Sequence, residues 1–134
     1  MEVYKRISLI RTREDREDVI EELIDRFGEP PAPVMRLIDI AQLRALLSPL
    51  GVTRVTFLAN TLILRVEPAL LPPTDKLLEA MTKTDKRLLL SAAREPSMLF
   101  RDKNLTAESA LTAAVPLFEK LNKFLFNQKE SQNV

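Results

Sequence analysis

Asp18, Glu22 and Asp25 stand four and three residues apart, a spacing that sets three carboxylates on one face of a helix. Carboxylates gathered in this way are the raw material of a hard-cation site or of acid–base chemistry. Either use needs more: a pocket that strips water from the acids, and further ligands or a partner acid beside them. The neighbours do not supply it. Between 14 and 29 the acids Glu14, Asp15, Glu17, Asp18, Glu21, Glu22, Asp25 and Glu29 face only Arg16 and Arg26, a local balance of −6. These acids lie largely off the apolar stripe of the same segment, so the pattern is that of a solvated acidic face or of a face that docks a partner. No metal and no cofactor are expected.

Other chemistry is excluded by residue type. The chain has no cysteine and no histidine. Disulfides, thiol nucleophiles, the usual zinc sites and every His-dependent triad fall together. Its two glycines, Gly28 and Gly51, cannot build a phosphate-cradling loop. The expectation is a domain that is not an enzyme.

A second charged region is basic. Between 76 and 103 there are seven bases and four acids, a balance of +3. Lys83, Lys86, Arg87, Arg94, Arg101 and Lys103 are candidate phosphate contacts, but single-strand-binding surfaces pair such bases with stacking aromatics. The one aromatic nearby, Phe100, is expected in a strand. Ordinary solubilising charge is the plainer reading, and a small DNA-binding domain stays an alternative. The acidic helix and the basic half can complement each other inside the fold or face different partners.

The elements that position these residues follow from periodicity. Val3, Ile7 and Ile10 suit a short amphipathic helix. Thr12 is an N-cap with Asp15 at the third helical position. Val19, Ile20, Leu23, Ile24 and Phe27 then form one stripe, closed by Gly28 and the Pro30–Pro31 pair. A third helix over 32–47 is apolar on most sides, which makes it central; Ala41 and Ala45 offer it a smooth strip. After Gly51 the period falls to two, and two strands flank Ala59–Asn60 as a hairpin. A short helix over 75–81, two strands over 87–92 and 97–101, and a long helix from Thr106 containing Pro116 complete the chain. Pro116 is expected to kink that helix or to expose the carbonyl of Thr112. The expected core is Leu23, Ile24, Phe27, Leu37, Ile38 and Ala41 against a small antiparallel sheet.

At 134 residues, with 46% hydrophobic and 29% charged residues, the chain can fill one core and coat it. No apolar run approaches the ~20 residues of a membrane span. We expect an α+β domain over 1–127 with N-terminal helices packed on a small, mainly antiparallel sheet and a long C-terminal helix. A polar, disordered tail is expected over 128–134, and a cytoplasmic location.

Tyr4-Lys5-Arg6-Ile7, the block Glu22-Leu23-Ile24-Asp25-Arg26-Phe27-Gly28, Leu37 through Leu43 and Leu50-Gly51-Val52 resemble the C-terminal domain of bacterial transcription-repair coupling factors. The resemblance covers 3–125, strongly over the first 52 residues and weakly in the strands. It implies a regulatory tail of a large DNA translocase, whose motor and polymerase-binding modules lie elsewhere. In that family the tail packs on an N-terminal module resembling UvrB and masks its surface for UvrA until RNA polymerase is engaged. It further implies that Glu22, Asp25 and Arg26 face that module. Glu22 and Arg26 are also an i, i+4 pair worth only ~0.3–0.5 kcal/mol to the helix. An independent adaptor that binds a basic protein through the acidic helix remains the other protein-binding alternative.

Overall fold

A computed structural model describes residues 2–92 and 95–126. The Ala93–Arg94 pair and the tail expected over 128–134 lie outside the described residues. Along the chain run α1 (Glu2–Ser8), α2 (Arg13–Phe27), α3 (Ala32–Leu47), β1 (Val52–Leu58), β2 (Thr61–Val66), α4 (Thr74–Thr84), β3 (Leu88–Ser91), β4 (Ser97–Arg101) and α5 (Ala107–Phe126). Short 3-10 turns at Ser48–Leu50 and Pro68–Leu70 flank the hairpin. The α+β class holds.

Local chemistry sets the boundaries. Thr12 Oγ1 accepts from the Asp15 amide at 3.1 Å while the Asp15 carboxylate accepts from the Thr12 amide at 3.2 Å. That capping box occupies two amides at the start of α2 that the helix itself leaves bare. Gly28 ends α2 at φ 84°. At the hairpin, Ala59 and Asn60 take φ 50° and 59°, the doubly positive pair whose twist matches flanking strands. Thr106 and Ser109 cap α5 reciprocally: the Ser109 amide donates to Thr106 Oγ1 at 3.1 Å and the Thr106 amide to Ser109 Oγ at 2.8 Å. The helix continues through Pro116, whose ring sits on the exposed side.

The sheet is wholly antiparallel, in the order β1-β2-β4-β3. One face is covered by α4, α5 and the end of α3, burying Leu64, Leu77, Met98, Phe100, Phe118 and Leu121 among others. A second, separate cluster joins Ile7, Ile10, Val19, Leu23 and Ile38, with Ala41 packed against it. The expected single core is therefore corrected. Leu23 and Ile38 are buried and Ala41 is half-buried, but all three pack within the helical cluster rather than against the sheet. Ile24, Phe27 and Leu37 are exposed. Ile24 lies about 100° around α2 from Leu23, at the margin of the stripe. Phe27 is on the stripe but at the last helical residue. α3 is central as expected, because Ile38 turns into one cluster while Leu43 and Leu47 turn into the other.

A polar seam bridges the two clusters. Arg16 Nη1 donates to Asp39 Oδ1 and, at 3.2 Å, to Oε1 of Gln42, which is almost wholly buried. The Gln42 amide in turn donates to Glu119 of α5 at 3.4 Å. Thus α2 is held to the rest of the molecule by charge-assisted bonds as well as by packing.

Candidate functional site

The expected site residues lie on the surface made by α1 and α2. Capping fixes the start of α2, and burial of Val19 and Leu23 fixes its rotation. The acidic side is thereby turned to water: Glu14, Glu17, Asp18, Glu21, Asp25 and Glu29 are all exposed. Asp18, Glu22 and Asp25 do share a face, yet among the described residues no group of acids is gathered closely enough to hold a metal ion.

Glu22 is the exception to simple exposure. Its Oε2 accepts from Arg6 Nη1 of α1 at 2.6 Å, with both side chains partly open to solvent. The expected Glu22–Arg26 pairing within α2 is not formed; the crossing of α1 over α2 offers Glu22 a fork-shaped donor instead. Glu22 and Arg26 both line a groove of about 340 Å³ between the helices, together with Val3, Leu9, Val19 and Leu23. Asp25 stands outside the groove on the solvent side. Arg26 has no carboxylate within ion-pair distance among the described residues. Further round the same helix, Ile24 keeps 47% and Phe27 70% of its surface exposed.

Of the two alternatives open for the charged regions, complementation inside the fold is not seen in the ion pairs of the described residues. No acid of α2 pairs with a base from the 76–103 region among the described residues. The bases of α2 make its longer-range pairs instead: Arg13 with Glu119 and Arg16 with Asp39. The Glu119 carboxylate, first by hydrogen bonding and then by charge, holds the Arg13 guanidinium more firmly protonated than usual. Two backbone amides, those of Arg11 and Thr12, hold the Asp15 carboxyl below the usual carboxylate range.

The basic candidates are largely committed to local structure. Arg87 pairs with Asp85 at 2.8 Å and with Asp102, and its guanidinium lies 4.9 Å from the centre of the Phe100 ring. Both acids are held below their ordinary range, Asp85 chiefly by the Arg87 side chain and Asp102 first by the Asn104 amide and then by Arg87. Lys83 pairs with Glu79, and Arg101 Nε donates to Thr61 Oγ1. Lys86 and Lys103 are exposed, and Arg94 lies outside the described residues. Phe100 is 1% exposed, so it offers no ring for base stacking.

Sequence reasoning missed Arg6 as the partner of Glu22, and it missed that Ile24 and Phe27 belong to the surface rather than to the core. The available signal was position: Phe27 falls immediately before the Gly28 terminator, where a helix outruns its neighbours.

The TRCF domain family matches residues 1–77. The chain belongs to that family. Relatives named transcription-repair-coupling factor include those of Escherichia coli, 44% identical over 52 residues, and Mycobacterium tuberculosis, 36% identical over 72 residues. That of Borreliella burgdorferi is 26% identical over 103 residues, or 77% of this chain. The matched stretches are only 4%, 6% and 9% of these relatives' own lengths. A crystal structure of the C-terminal domain of transcription-repair coupling factor superposes with a TM-score of 0.77 and 27% identity. The superposition covers 92% of this chain and 79% of that one. This TRCF domain thus carries both the helical cluster and the sheet of that fold. The family match ends inside α4, so it takes in all of the α1–α2 face and leaves out β3, β4 and α5.

Proposed function

We propose that this TRCF domain is a non-catalytic regulatory module whose α1–α2 face docks on the N-terminal UvrB-like module of a parent translocase. The observation that carries the reading is that the last two turns of α2 expose Asp25, Arg26 and the half-exposed Arg6–Glu22 pair and, further round the same helix, two large apolar side chains, Ile24 and Phe27. Exposed apolar side chains on one helix with exposed charges are what protein interfaces use to combine affinity with partner choice.

In this reading the docked domain covers the surface through which the UvrB-like module recruits UvrA. The translocase, working in the cytoplasm, stays restrained until it engages RNA polymerase. The contact need not be strong: each ~1.4 kcal/mol removed shifts the closed-to-open ratio tenfold. No DNA contact is invoked: Lys83 and Arg87 are paired with acids and Phe100 is buried, which supports the protein-docking reading over a nucleic-acid one. Among the described residues no helix is long and apolar enough to cross a membrane.

The test is the triple variant Glu22→Ala/Asp25→Ala/Arg26→Ala in the full-length translocase. Basal ATPase activity and affinity for UvrA rise together if the face is an autoinhibitory contact. Wild-type values for both, with the domain folded, would reduce the face to a solvated helix surface.

A further inference from the structure

Val52–Val55 of β1 and the second half of α3 face each other across a groove of about 470 Å³. β1 is an edge strand that bonds only to β2. Its other row of amides and carbonyls has no strand beside it among the described residues. With seven residues it is the longest strand of the sheet, and Thr53, Arg54, Val55 and Thr56 are all exposed. Proteins normally shorten or cover such an edge, because it is a template for a further strand.

The wall opposite is apolar. Ile40, Leu43 and Leu47 recur there at helical spacing, and Leu111 of α5 adds to the lining. Ile40 and Val55 keep 40% and 41% of their surface exposed. The charge in the groove is of one sign: Arg44 and Arg54 line it, and no acid does. Neither arginine has a carboxylate within ion-pair distance among the described residues. Arg54 also stands directly opposite Arg65 in the ladder, an arrangement that repels. Arg65 has Glu95 at 2.8 Å, and Arg54 has nothing equivalent.

We propose that this groove binds an extended segment of a partner protein, added to the sheet beside β1, in which apolar and acidic residues alternate. Strand geometry supplies the alternation. One set of side chains falls on the face of Val55, against Ile40 and Leu47, and takes apolar residues. The other falls on the face of Arg54, and takes carboxylates that neutralise it. A second copy of this chain fits poorly, since β1 paired with β1 brings arginine toward arginine. The groove is distinct from the α1–α2 face and its occupant is independent of that reading.

A fluorescein-labelled peptide, Glu-Val-Glu-Val-Glu-Val-Glu, titrated with the whole chain tests this by anisotropy. Saturable binding is expected, at least about tenfold weaker when Lys replaces Glu or when Pro replaces the central Val and blocks pairing. Arg44→Glu/Arg54→Glu and, separately, Val55→Arg are expected to lose binding while keeping the wild-type melting temperature. Hydrogen exchange is expected to slow at the β1 amides that do not bond to β2. Equal binding of the Lys peptide, or full binding by the folded double variant, would overturn the proposal. So would protection confined to other elements, preferential binding of oligo(dT), or self-association through β1.

Discussion

Arg13 and Glu119, 106 residues apart, meet at two points: Nη2 donates to Oε1 at 2.7 Å and Nε to Oε2 at 3.2 Å. The pair ties the first turn of α2 to α5, and so ties the helical cluster to the sheet-bearing half. Glu119 also accepts from the buried Gln42 amide. Glu119→Ala is therefore expected to destabilise the domain by about 1–3 kcal/mol, chiefly because Gln42 loses its acceptor. Denaturant unfolding measures it. The α1–α2 face is expected to lose hydrogen-exchange protection before the sheet does.

Leu23 and Phe27 are both on the apolar stripe of α2, but only Leu23 is buried. Leu23→Ala is expected to cost ~2–5 kcal/mol. Phe27→Ala is expected to stay within ~0.5 kcal/mol, as exposed substitutions do. Thermal melts of the two variants separate them, and equal losses would place Phe27 in the core.

How far the sequence was legible depends on the range of the interaction. Thr12 with Asp15, Gly28 before the proline pair, and Ala59–Asn60 all act within a few residues, so each boundary they set was readable. The strands over 88–91 and 97–101 were also readable, although leucine serves helices as well. What was not readable is tertiary. Arg16 with Asp39, Gln42 with Glu119 and Arg6 with Glu22 leave no local pattern, and neither does the division of α3 between two clusters. The face proposed for docking is half-legible: its charges can be named, but Ile24 and Phe27 fall on or beside the stripe that periodicity assigns to the core, because periodicity cannot tell where a helix outruns its cover.

Gly51 sits at φ 78°, and a Cβ there would come within 2.9 Å of Leu70 Cβ. At Gly28, with φ 84°, an added Cβ meets nothing within 4 Å. With ψ −171°, Gly28 lies in a region essentially reserved to glycine, so Gly28→Ala carries a backbone penalty of ~1–3 kcal/mol. Gly51→Ala carries the left-handed penalty of ~1–2 kcal/mol together with a clash against Leu70, so each variant is expected to melt below the wild type, and an unchanged melting temperature at either would contradict the assignment.

Asp15 is expected to make stability pH-dependent. Its carboxyl is held below the ordinary value by the Arg11 and Thr12 amides, so its stabilising effect is complete above the unfolded value of ~3.9 and is lost as pH falls through the lower folded value. The advantage of the wild type over Asp15→Asn is expected to be constant near neutrality and to shrink as pH drops below about 4. Unfolding curves from pH 7 downward show it; an advantage that does not change with pH would contradict the assignment.

The central claim is that Glu22, Asp25 and Arg26 form a docking face for the UvrB-like module. Calorimetric titration of this chain into that module, separately expressed, tests it most directly. The account predicts measurable one-to-one binding, weakened at least about tenfold by Glu22→Ala/Asp25→Ala/Arg26→Ala with the melting temperature unchanged. No binding by the wild type, or equal affinity for both proteins, would contradict it.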